Sequence, residues 1–168
     1  FDEILINGVT AKGIYQLKLR AFANAEHTFR KAQHINHRQK GVYNYEQLPI
    51  IDLLITTSSL QNNTLATDQQ QHFKLRVTEQ KFGPDSIEIL PTLSSLGRYF
   101  TLSGRLIPKR EPEYEFICTG RICDWELTVS KEQKRRIMLF KNAIGMFERA
   151  VKIIEIKYGE KDLRLVRH

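Results

Sequence analysis

The sequence has few residues that cross-link a small protein. Cys118 and Cys123 are its only cysteines, five positions apart in an apolar segment with strand-like composition. Along one strand that separation spans roughly 16 Å, which is too far for a disulfide within the strand. We therefore expect two buried free thiols in a reducing, intracellular compartment, either cytoplasmic or nucleoid-associated.

Long apolar runs and nucleotide-binding motifs are also missing. The longest unbroken apolar run, as at 137–140, has about four residues, whereas a membrane-spanning helix needs roughly 20. The only glycine-bounded candidate for a phosphate loop, GVTAKG at 8–13, is too short and lacks the Lys-Ser/Thr ending. The sequence therefore predicts no membrane partner and no cofactor.

Positive charge is what the chain has in excess. Lys and Arg number 26 against 19 Asp and Glu, which gives a formal net charge of +7 and a pI near 9.5. Hydrophobic residues make up 41% and charged residues 27%, as in ordinary folded proteins. We expect a single domain over residues 1–168, with 58–71 as a long exposed loop, and a polyanionic partner. A basic surface without a partner is the alternative.

Alternating apolar and polar residues predict several β-strands. The segment 14–21 also fits the start of a helix, and 48–56 is either a buried strand or a helical turn. The segments 98–107 and 114–129 are predicted to form a hairpin across the turn Pro108 to Pro112. The predicted strands are 3–9, 14–21, 73–77, 86–90, 98–107 and 114–129.

Two amphipathic helices are predicted from a period of three to four residues. The first runs from Phe22 to about His37 and is stopped by Gly41. The second covers about 131–158, with Ser130 and Gln133 as a capping box and Gly159 as its end. Each has an apolar side and a basic side, and the basic side of the first holds His27, Arg30, Lys31, His34 and Arg38.

A Gly-Arg pair occurs in both strands of the predicted hairpin. Gly104 precedes Arg105, and Gly120 precedes Arg121. Glycine inside a strand is typical of a bulge or a sharp bend, so the pairs favour a curled sheet. The predicted fold is α+β, with a curled, barrel-like antiparallel sheet packed against two amphipathic helices. No other internal repeat is apparent.

The outer face of this sheet and the basic helix faces predict a non-catalytic nucleic-acid-binding protein. Aromatic residues would stack on bases while basic residues neutralise phosphates, and RNA or single-stranded DNA is favoured because no helix-turn-helix or zinc-finger pattern occurs. We expect a small subunit of a nucleoprotein complex that also contacts other protein subunits. The predicted binding residues are Lys18, Arg20, Arg30, Lys31, His34, Lys74, Arg76, Tyr99, Arg105, Arg121, Lys134 and Arg135.

Two other functions fit the same residues. One is a protein-protein interaction module, or adaptor, whose basic surface meets an acidic partner. The other is a metal-dependent nuclease, because Glu155-x-Lys157 with upstream Asp124 resembles an acid-x-Lys arrangement that holds a divalent ion. His34 and His37 lie one turn apart, but we interpret them as part of a basic surface. We expect no metal ligand and no catalytic residue.

Overall fold

Helices form most of the protein. A computed structural model describes the backbone of residues 2–109, 113–119, 122–128 and 130–159. These residues fall into two compact units, Phe1–Thr92 and Leu93–His168. Two short 3₁₀ turns, Tyr45–Gln47 and Ile87–Ile89, precede the third and fifth helices. The helices are α1 (Asp2–Lys18), α2 (Phe22–Lys40), α3 (Leu48–Leu60), α4 (Thr64–Phe82), α5 (Leu90–Leu106) and α6 (Lys131–Tyr158), and the strands are β1 (Glu113–Thr119) and β2 (Ile122–Thr128).

The α+β prediction with a curled antiparallel sheet is wrong. Within the described residues, β1 and β2 are the only strands, and they pair antiparallel from Glu113↔Thr128 to Thr119↔Ile122. This small hairpin spans nearly the whole stretch that was predicted as one long strand, 114–129. The strand predicted to pair with it, 98–107, lies almost entirely in α5. The segments 3–9 and 14–18 lie in α1, 73–77 lies in α4, and 86–90 covers the second 3₁₀ turn and the start of α5. The predicted loop at 58–71 holds the end of α3, a short turn and the start of α4.

Helix α4 buries a polar face, which explains why the sequence pattern did not predict a helix there. Thr67, Gln71 and Thr78 lie on the buried face together with Leu75. In a helix a threonine hydroxyl can bond the carbonyl four residues back, as Thr67 Oγ1 does to Asn63 O at 2.9 Å. The hydroxyl is then satisfied without water, so a polar side chain can be buried. The spacing of apolar residues alone therefore does not reveal which side of α4 is buried.

Both predicted amphipathic helices are confirmed. Gly41 and Gly159 end α2 and α6 with φ of 88°, a value that favours glycine. Ser130 caps α6 by accepting a hydrogen bond from the Gln133 backbone N–H at 3.2 Å. The Gln133 side chain does not complete the predicted capping box, because it donates to Pro108 O at 2.6 Å. This amide ties the start of α6 to the segment that follows α5.

The core of the first unit joins α1, α2 and α3. Phe29 is fully buried at its centre, with Ala25 and Ala32 beside it on α2 and Ile6 on α1. On the α1 side, Gly13 lets the two helices approach closely, because a Cβ added at Gly13 would lie 2.4 Å from Phe29 Cε1. The core cluster consists of Ile6, Ala25, Phe29, Ala32, Ile50 and Leu54, with Val9, Leu17, Ile35 and Leu53 at its edge.

A 42-residue repeat organises the helices, contrary to the expectation of no further repeat. Helix α2 and helix α4 each have 19 residues, and each ends at a glycine of positive φ, Gly41 and Gly83. A 3₁₀ turn follows each glycine, and the next helix then begins with Leu-Pro. Repeats of 20 to 50 residues are typical of stacked helical arrays. The corresponding positions, each 42 residues apart, include Gly41 and Gly83, Glu46 and Glu88, Leu48 and Leu90, and Pro49 and Pro91.

In the second unit, glycines of α5 face aromatic rings of α6. A Cβ at Gly97 would lie 2.8 Å from Phe147, and one at Gly104 would lie 3.1 Å from Phe140. Gly104 therefore allows α5 to pack closely against α6. The sequence had predicted a bend in a strand at this position. Its predicted counterpart, Gly120 with Arg121, lies outside the described residues.

Candidate interaction surfaces

The predicted sheet face does not form, so its residues are spread over separate helices. Lys18 ends α1 and Arg20 follows it, and both are exposed. Arg76 is exposed on α4 and Arg105 on α5, whereas Tyr99 of α5 is half-buried with its ring 5.6 Å from Phe100. Arg121 is outside the described residues. The other predicted residues lie on α2 (Arg30, Lys31, His34), α4 (Lys74) and α6 (Lys134, Arg135).

Lys74 has a structural partner. Its ammonium lies 2.6 Å from the Asp52 carboxylate of α3, and only 18% of the Lys74 side chain is exposed. The ion pair links α3 to α4. Because this charge is already paired and partly buried, Lys74 is a poor choice for a phosphate contact.

The predicted basic face of α2 is present. His27, Lys31, His34 and Arg38 are exposed on the side opposite the core, and Arg30 lies beside them. The Arg30 guanidinium is bound by Glu26 at 2.7 Å, and the same carboxylate group accepts a hydrogen bond from Gln61 Nε2 at 2.8 Å. The charge of Arg30 is therefore offset within the protein, and the face is less positive than its composition indicates.

The excess positive charge is concentrated in the second unit. Residues 1–92 have ten Lys and Arg against nine Asp and Glu, whereas residues 93–168 have 16 against ten. Helix α6 contributes eight basic and three acidic residues. Its exposed basic residues include Lys131, Lys134, Arg135, Lys141 and Lys152.

A cleft lies beside the turn that follows α2. It has a volume of about 680 Å³, and its two tyrosines rest on rings of α4, Tyr43 at 6.1 Å from Phe73 and Tyr45 at 5.1 Å from Phe82. At one end Lys40 donates a hydrogen bond to Glu46, which raises the pKa of the Lys40 ammonium. Sequence reasoning missed this cleft because the stretch after Gly41 has no regular pattern. Its lining is Lys40, Gly41, Val42, Tyr43, Asn44, Tyr45, Glu46, Gln80 and Lys81.

The outer side of α1 carries an exposed apolar groove of about 330 Å³, lined by Ile4, Leu5, Gly8, Val9 and Lys12. Ile4 is 76% exposed, and farther along the helix Tyr15 is 63% exposed. The opposite side of α1 packs against α2 through Ile6 and Gly13. Sequence reasoning missed the groove because it divided α1 into two strands.

The arrangement required for the nuclease hypothesis is absent. Glu155 and Lys157 lie in α6, where residues two apart point about 200° from each other around the helix axis. Within the described parts of the chain, no group of three His, Cys, Asp or Glu residues is placed to hold a metal ion.

No protein-family model and no curated protein matches the sequence. Among the helices that the structure describes, none is both long enough and apolar enough to cross a membrane.

Proposed function

We propose that this chain is a non-catalytic protein-interaction module. The observation that carries the proposal is the 42-residue repeat, in which helix, glycine, 3₁₀ turn and Leu-Pro helix start recur in order. Stacked helical repeats bury a continuous core between neighbouring helices and leave extended helix faces for binding. A fold does not by itself name a function, so the proposal also depends on the exposed apolar side of α1.

The interaction function is tested by photo-crosslinking in full-length protein. Benzoylphenylalanine is placed at three exposed positions on different helices of the first unit, Tyr15, Lys31 and Gln69. We expect protein-sized adducts at one or more positions, and they should survive nuclease treatment. Adducts that disappear with nuclease, or the absence of adducts at all three positions, would contradict the proposal.

Nucleic-acid binding is a second candidate, and the unequal charge of the two units favours it. Most of the net positive charge lies in residues 93–168, and α6 is a single helix of 28 residues with a basic edge. Such an edge could follow a phosphate backbone and release counterions on binding. The predicted sheet face has no part in this candidate.

The second candidate predicts that Lys134→Ala with Arg135→Ala weakens binding of labelled single-stranded RNA and flattens its salt dependence. Two lost phosphate contacts should reduce the slope of log K against log salt by about 1.4. Fluorescence anisotropy at two salt concentrations measures both quantities, and Lys31→Ala with Arg38→Ala is the control with the same change of charge on α2. Equal losses in the two double variants would show a non-specific charge effect, and no binding by the wild type would reject this candidate.

A further inference from the structure

The repeat identifies α3 as the helix that corresponds to α1. Shifting residue numbers by 42 places Ile6 on Leu48, where α3 begins, and Lys18 on Leu60, where α3 ends. Helix α1 therefore occupies the same place in its repeat as α3 does in the next. Residues at corresponding positions can be compared directly.

On α3, one set of residues packs against the helix that precedes it. Ile50 and Leu54 share the core cluster with Ala25, Phe29 and Ala32 of α2, and Leu53 lies at its edge. The α1 counterparts of Ile50, Leu53 and Leu54 are Gly8, Ala11 and Lys12. Gly8 and Lys12 line the exposed groove of α1, so this groove corresponds to the surface that α2 covers on α3.

The outer side of α1 is largely apolar, because it exposes Ile4, Leu5 and Tyr15. A helix that is apolar on both sides is typically buried on both sides. In the first unit, α2 packs against α1 and α3, and α3 packs against α2 and α4. We propose that the α1 groove docks an amphipathic helix of a partner protein, in the position that α2 takes on α3.

The basic residue in the groove indicates the chemistry of this helix. Lys12 lines the groove, is exposed, and makes no ion pair within the described part of the chain. Lys12 replaces the fully buried Leu54, so its stem can lie along the groove while its ammonium reaches a carboxylate. The partner helix therefore carries small and aromatic residues on one side, as α2 does, and acidic residues at the edge. This inference rests on the proposed interaction function and names its site and partner class.

The test uses a fluorescent peptide with the α2 sequence and the full-length protein. The five outward basic residues of α2 are replaced by glutamate, and a lactam between two outward positions holds the peptide helical, because short isolated helices are marginal in water. In fluorescence anisotropy, Ile4→Ser and Lys12→Glu should each weaken binding by about tenfold, which corresponds to roughly 1.4 kcal/mol. Leu65→Ser removes another exposed leucine, on α4, and should change affinity less than about twofold.

A charge swap tests whether Lys12 contacts the acidic residues of the peptide. A second peptide with lysine in place of the added glutamates should bind Lys12→Glu more tightly than it binds the wild type. Circular dichroism melting checks that the variants fold. Because Ile4 and Lys12 are exposed, the melting temperatures of Ile4→Ser and Lys12→Glu should stay close to that of the wild type.

Three results would overturn the inference. The first is that wild-type protein does not bind the glutamate peptide, and the second is that Leu65→Ser weakens binding as much as Ile4→Ser. The third is self-association in sedimentation that Ile4→Ser abolishes, since the groove would then take a second copy of the chain. Nuclease-resistant adducts at Lys31 or Gln69 without peptide binding would reject only the groove, whereas no adduct at any position would reject the interaction function.

Discussion

Replacing Phe29 by alanine should lower the free energy of unfolding by about 3–5 kcal/mol, the usual range for a buried phenylalanine. The Phe29 side chain is fully buried between α1 and α3. On the α1 side its neighbour is Gly13, which has no side chain to move into the space. The cavity would therefore remain largely open, and its cost adds to the lost burial.

Urea unfolding followed by far-UV circular dichroism measures this loss. Phe29→Met is the control because it nearly conserves volume, and it should cost less than about 1.5 kcal/mol. Phe82→Ala removes a ring that is only partly buried at the end of α4, so its cost should also be smaller. A loss below about 1 kcal/mol for Phe29→Ala would contradict the placement of this ring at the centre of the core.

Replacing Gly13 by alanine should destabilise the protein by about 1–3 kcal/mol, as overpacking of a core usually does. In an exposed helix the same change would stabilise by up to about 1 kcal/mol, because alanine is the better helix former. At Gly13 the new Cβ would lie 2.4 Å from Phe29 Cε1, well inside contact distance. Because the ring is fully buried, we expect the clash to outweigh the helix propensity.

Gly8 provides a matched control in the same helix. A Cβ at Gly8 would meet no atom within 4 Å, so Gly8→Ala should stabilise by roughly 0.5–1 kcal/mol. In the Phe29→Ala background the clash at Gly13 is removed, and Gly13→Ala should become neutral or stabilising. A double-mutant cycle by urea unfolding measures this coupling. If Gly13→Ala has the same effect with and without Phe29, the contact between α1 and α2 is not the one described.

The candidate surfaces were only partly predictable. Lys31, His34 and Arg38 lie on the outer face of α2, as the helical period indicated. The pairing of Lys74 with Asp52 was not predictable, because the two residues are 22 positions apart and meet only when α3 packs against α4. The apolar groove of α1 was missed because a short alternating segment fits a strand as well as a helix.

Helices with strong local signals could be located from the sequence. Gly41 and Gly159 end α2 and α6 because glycine readily adopts the positive φ required there, and Ser130 starts α6 by capping a backbone N–H. The basic character of the chain was also evident from composition. Local chemistry is sufficient for these features, since each involves residues close together in the chain.

Which other segments are helical, and which of their sides are covered, depends on packing between helices. The buried face of α4 depends on Thr67, Gln71 and Thr78, whose polarity hides the helical period. Gly13 serves a contact with Phe29, a residue on the next helix. Burial depends on neighbours distant in sequence, so packing between helices, rather than apolar spacing within each one, sets the fold and its exposed surfaces.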